Sequence, residues 1–155
     1  LKDMVIPNIN RGLKASENPG RNFELYAPIF VITGQTDREK AKMKKTVCQQ
    51  IAFYGSTPNY ASLFSYHGYP ELGKKLNISL KRGEIDTMGN LIPDELLEQI
   101  AVIDNPENIA KRIVDRYFGV LNRVSLYCSL DNENPSGLFD DLPAKINNVL
   151  AVIRD

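Results

Sequence analysis

The chain has 155 residues, 43% of them hydrophobic, with 19 basic side chains against 19 acidic ones. That length holds one domain with a real core, and the balanced charge argues against a nucleic-acid or polyanion binder. No apolar run is long enough to be a membrane helix and the start lacks a signal-peptide layout, so the reading is a cytoplasmic protein with no membrane partner.

Cys48 and Cys128 have neither Cys-x-x-Cys nor zinc spacing and read as reduced thiols. There is one histidine, His67, and no tryptophan. A metal site or a Ser-His-Asp triad would rest on that single imidazole, so neither is expected.

Residues 1–16 read as a helix, with Met4, Val5, Ile9 and Leu13 at helical spacing and Pro7 and Gly12 weakening it. The chain starts at Leu1 inside that pattern, as a piece of a longer protein would. Asn18-Pro19-Gly20-Arg21 is a loop signal. The run from Leu25 to Gly34 is rich in β-branched residues and reads as a buried strand, although Pro28 argues against a central one. Thr36-Asp37-Arg38-Glu39 then fits a capping box. The helix that follows sets Met43, Val47 and Ile51 on one stripe and runs into the aromatic, hydroxyl-rich string Phe53–Tyr60. Strand, turn and capped helix make half of a βαβ repeat.

Residues 55–92 are irregular by pattern, with short helical turns expected around 59–66 and 71–76. So long a connection reads as an excursion with a role of its own. Pro93-Asp94-Glu95 opens a helix with proline at its first position. Asn105 is the expected N-cap of the next, which carries Ile109, Ile113, Val114 and Tyr117 and closes at Gly119. A second strand spans Arg123–Cys128, residues 131–137 form a polar loop, and the last helix carries Leu142, Ile146, Val149, Leu150 and Ile153.

Two strands alternating with amphipathic helices suggest a parallel α/β sheet. Two strands cannot receive all the apolar helix faces present. The missing partner is either further strands or another copy of the chain.

The strings Ala27–Gly34, Gln50–Tyr60, His67-Gly68-Tyr69, Leu91–Leu97 and Arg123–Tyr127 occur in an order that resembles the luciferase-like monooxygenase superfamily. Within it the chain is most similar to the predicted deazaflavin (coenzyme F-420)-dependent oxidoreductases. The resemblance implies a single partial domain over residues 1–155. This would be the C-terminal portion of a (β/α)₈ TIM-type barrel, about its last two strands with their helices, and not a complete barrel. Residues 55–92 would be the excursion after the seventh strand. Where the family has Gly-Thr-Pro before the last crossover helix, this chain has Asp104-Asn105-Pro106.

Barrel chemistry sits at the C-terminal ends of the strands. The expected lining of a coenzyme or substrate cavity is therefore Thr33, Gly34 and Gln35, with Tyr54, Ser56, Thr57, Tyr60 and His67 from the excursion. The helix start after Gly34 would favour an anion. The family's acid–base groups lie on earlier strands, so no catalytic residue is assigned. The implied function is a fragment, inactive by itself, of an oxidoreductase that acts on a small organic substrate. It would use deazaflavin coenzyme F-420, or FMN as the alternative, and would need the missing N-terminal barrel part. The competing reading is a non-catalytic α/β interaction module that buries its helices as a homo-oligomer.

Overall fold

A computed structural model describes residues 1–17, 23–127 and 141–154. Its elements are α1 (Val5–Ala15), β1 (Tyr26–Ile32), α2 (Asp37–Gly55), α3 (Ala61–Tyr66), α4 (Leu72–Lys81), α5 (Asp94–Ile100), β2 (Val102–Ile103), α6 (Ile109–Tyr117), β3 (Arg123–Tyr127) and α7 (Leu142–Arg154). Single 3₁₀ turns cover Pro58–Tyr60 and Met88–Leu91. The Asn18–Arg21 loop, Cys128 and the 131–137 loop lie outside the described residues.

The strands form a parallel sheet in the order β2-β1-β3. Among the described residues it is a small, open α/β sheet and not a closed barrel. The strand β2 corrects the two-strand expectation. Two residues carry no periodicity, and only pairing of Val102 and Ile103 with Val31 and Ile32 makes them a strand. That pairing also explains Pro28. β1 is the central strand, but β2 reaches only its last two residues, and Pro28 is paired on one side alone, opposite Ser125.

Successive strand residues point to opposite faces. Ile29 and Val31 join Val102, Ile109, Ala110, Ile113 and Leu142 in one core cluster, with Val124 and Leu126 packed against it. This is the face that α6 and α7 cover. Ile32 joins the other cluster, formed by Val47, Cys48, Ile51, Leu76, Leu96 and Leu97 among others, with Phe30 packed against it. This second face meets α2, α4 and α5 at its C-terminal end. The face that carries Tyr26, Pro28, Phe30, Ser125 and Tyr127 is open toward the N-terminal ends of the strands, where Tyr26 and Pro28 are exposed.

Local chemistry accounts for the element ends. The Thr36 hydroxyl accepts from the Glu39 amide, and the Glu39 carboxylate accepts from the Thr36 amide. Gly119 follows α6 with φ +72°. Pro93 stands at the N-cap of α5 rather than at its first helical position. α4 runs on to Lys81, beyond the expected 76, because Leu72 and Leu76 bury one face and hold the helix. α6 starts at Ile109, later than an Asn105 cap predicts. The Asp104 carboxylate takes the amide of Asn105 and the side-chain amide of Asn108, which makes a turn before the helix.

Candidate functional site

The open face of β1 and β3 ends in a cluster of rings. Phe30 and Tyr127 lie on adjacent strands in register and meet edge to face, 5.1 Å between centroids. Tyr54, in the last turn of α2, meets Tyr127 at 6.3 Å and Tyr60 at 6.1 Å. The phenols of Tyr54 and Tyr127 hydrogen-bond each other. Further down the same face the hydroxyls of Tyr26 and Ser125 are paired at 2.7 Å. The wall thus alternates aromatic faces with neutral hydroxyls.

The Tyr54 hydroxyl holds Tyr127 above the usual phenol range, because it favours the protonated partner. Tyr127 therefore stays neutral at physiological pH. A wall of this type can seat a planar, uncharged ring and orient it by a few hydrogen bonds.

The sequence-predicted positions divide. Tyr54 and Tyr60 join the ring cluster. Thr57 sits beside them, its hydroxyl donating to the Tyr54 carbonyl at 2.9 Å. Ser56 is buried, its hydroxyl donating to the Phe53 carbonyl and its own carbonyl accepting from Asn77, so it ties α4 to the end of α2. His67 lies at the end of α3 with Nδ1 2.6 Å from Gln99 and its ring against Tyr66, away from the tyrosine cluster.

Thr33 is fully buried at the end of β1, and its hydroxyl has no hydrogen-bond partner. Gly34 is buried where a Cβ would come within 2.7 Å of the Lys40 nitrogen, so glycine lets β1 run directly under the start of α2. The Gln35 and Thr36 amides both donate to the Glu39 carboxylate. That carboxylate takes the place an anion would occupy at this helix start.

Sequence reasoning missed Tyr26, Phe30 and Ser125 as members of the wall. The signal available was the alternation in each strand, which sets Tyr26, Phe30, Ser125 and Tyr127 on one face once the register is known.

The family model for luciferase-like monooxygenases matches residues 2–121. The chain belongs to the luciferase-like monooxygenase family. As a member of that family, it is 38% identical over 124 residues to uncharacterized proteins of Mycobacterium bovis and of two Mycobacterium tuberculosis strains. The match covers 80% of this luciferase-like chain and 36% of each relative, so the chain spans well under half their length. No solved structure gives a significant match to it. No helix among its described residues is long and apolar enough to cross a membrane, and no cluster of His, Cys, Asp or Glu among them is placed to hold a metal ion.

Proposed function

We propose that this chain is the C-terminal part of a (β/α)₈ luciferase-like oxidoreductase that acts on a small organic substrate with deazaflavin coenzyme F-420, FMN being the alternative. In this reading α1 is the sixth barrel helix, β1 and β3 are the seventh and eighth strands, and residues 55–92 are the excursion between them. The protein is cytoplasmic and binds no nucleic acid. The observation that carries the reading is the aromatic and hydroxyl wall on the face of β1 and β3 that α6 and α7 leave open. Barrel chemistry lies at the C-terminal ends of the strands, where Phe30 and Tyr127 stand.

The residues fit the ring of such a coenzyme. Phe30, Tyr54, Tyr60 and Tyr127 offer flat apolar contact and neutral donors. They do not fit its phosphate-bearing tail at the start of α2, where the Glu39 carboxylate already holds the amides. The tail would therefore be held by the rest of the barrel. When bound, the coenzyme supplies hydride transfer, and this chain's residues position the ring and exclude water.

The test is titration of the intact protein and of the 155-residue chain with F-420 and with FMN, followed by absorbance. The intact protein is expected to bind one of them, and the isolated chain neither. Tight binding by the isolated chain would overturn its reading as an incomplete, inactive piece.

A second reading rests on α1, which has no buried residue and leaves Met4 and Val5 exposed. Another copy of the chain could cover that face, making a non-catalytic homo-oligomeric module. A cooperatively unfolding oligomer of the 155-residue chain, with an intact protein that binds neither coenzyme, would favour it.

A further inference from the structure

The 25 residues from Thr46 to Pro70 contain no Asp, Glu, Lys or Arg, in a chain of which 25% are charged. Burial accounts for the first part of the stretch, where Val47, Cys48, Ile51 and Ala52 are core residues. It does not account for the rest. Most residues between Phe53 and Pro70 are exposed, and Phe64 is the only buried residue of α3. The Phe64 ring packs against Gly55 and Gly73, which fastens α3 to α2 and α4.

The exposed side is a ridge of rings. Phe53 meets Tyr54 at 6.0 Å between centroids, and Tyr54 meets Tyr60 at 6.1 Å. Leu63 and Tyr66 follow at intervals of three, the spacing of neighbours on a helix surface. Phe53, Tyr60, Leu63 and Tyr66 are 40–50% exposed. Half-exposed side chains of this size leave roughly 100 Å² each in water, and the smaller exposed residues between them add about as much again in total. The ridge thus offers an area near the roughly 800 Å² per partner of a standard protein interface.

The chemistry of the ridge selects its occupant. An anionic membrane surface or a nucleic acid is held by Lys and Arg, and the stretch has neither. A two-fold contact sets a patch against itself, so a charge near the axis would meet its own like. An uncharged ridge avoids this. The hydroxyls of Tyr60 and Ser62 can both donate and accept, so each is able to pair with the same group of another copy. Loss of charge with gain of Tyr and Phe is the composition of an interface core. Further strands would extend the sheet at its edges, whereas α3 hangs on α2 and α4, so completing the sheet does not itself cover the ridge.

We propose that the ridge from Phe53 to Tyr66 is a two-fold interface with a second copy of this chain. This goes beyond the coenzyme reading and does not depend on it. It is also a different surface from the apolar face of α1.

The test is sedimentation of the intact protein between about 1 and 100 µM, with Leu63→Glu and Leu63→Lys as variants. The parent is expected to dimerise in this range. Each variant alone is expected to raise the dimer Kd at least about tenfold, because like charges then face each other across the contact. An equal mixture of the two is expected to regain dimer, which a variant that merely misfolds would not do. No dimer at about 100 µM, a dimer that neither variant weakens, or a mixture that associates no better than its parts would each overturn the proposal. A monomeric parent whose Tm falls in both variants would also overturn it, and would assign the ridge to a contact within the intact protein. Leu63 lies outside the ring cluster, so binding of F-420 or FMN is expected to be the same in parent and variants. Failure to dimerise therefore leaves the coenzyme reading standing, and failure to bind either coenzyme leaves the interface standing.

Discussion

The phenol of Tyr54, at the end of α2, hydrogen-bonds the phenol of Tyr127, at the end of β3 and 73 residues later. This bond ties the start of the excursion to the far strand of the sheet. Either phenylalanine variant is expected to leave Tm within about 3 °C of the parent, because the pair is near the surface. Amide exchange over the Pro58–Tyr60 turn and α3 is expected to speed up in both. Tyr54→Phe is also expected to lower the pH at which Tyr127 ionises, since the hydrogen bond that favours the protonated phenol is gone. Titration of the assigned Tyr127 ring NMR signals in the two forms checks the sign, and an unchanged Tyr127 would count against the pairing.

Gly55 closes α2 against Phe64. A Cβ there would lie 2.3 Å from the Phe64 ring, and Phe64 is itself buried. Gly55→Ala is therefore expected to destabilise the fold by about 1–3 kcal/mol through overpacking. Phe64→Leu in the same chain is expected to recover part of that loss, so urea melts of the double-mutant cycle should be non-additive. Additive values would mean that the backbone moves aside.

Arg116 reaches from α6 to the end of α5, where its guanidinium donates to the carbonyls of Glu98, Gln99 and Ala101. These are carbonyls a helix leaves unpaired at its C-terminus. Arg116→Ala is expected to cost about 2–3 kcal/mol, from charged hydrogen bonds lost and carbonyls left without donors. Arg116→Lys is expected to recover little, because one ammonium cannot span the three acceptors in the fixed geometry of the fork. Chemical denaturation of both variants tests this, and full rescue by lysine would show that charge alone matters.

Asp104 is held below the usual carboxylate range, first by the hydrogen bond from Arg112 and then by the Asn105 amide. A carboxyl with a folded pKa below its unfolded one stabilises the protein fully above the unfolded value, near pH 4, and loses that stability as pH falls through the folded value. Asp104→Asn is thus expected to be less stable than the parent at pH 7 and to converge on it below about pH 4. Thermal melts between pH 2.5 and 7 measure this. A gap that stays constant with pH would place the stabilisation in geometry rather than charge.

Features whose partners are close in sequence were legible without coordinates. The Thr36–Glu39 box needs only neighbouring residues, and it occurs as spaced. The start of α6 lies later than the sequence predicts because Asn105 is a good cap by type, while Asp104 competes for the local amides. Part of the candidate site was legible through the aromatic and hydroxyl string around Tyr54 and Tyr60. Its other half was not, since Tyr26 and Ser125 lie 99 residues apart and meet only through the register of β1 and β3.

By itself the sequence determined the alternation of strands with amphipathic helices, the capped start of α2, and membership of the luciferase-like family. These follow from local backbone chemistry and from the order of short strings along the chain. Only the tertiary structure decided that Val102 and Ile103 form a strand, that Pro28 can sit in the central one, and that Tyr127 joins Tyr54 on the open face. Each of those depends on which strand lies beside which and in what register. Register is a long-range property, and shifting it by one residue would turn every side chain on that wall to the opposite face.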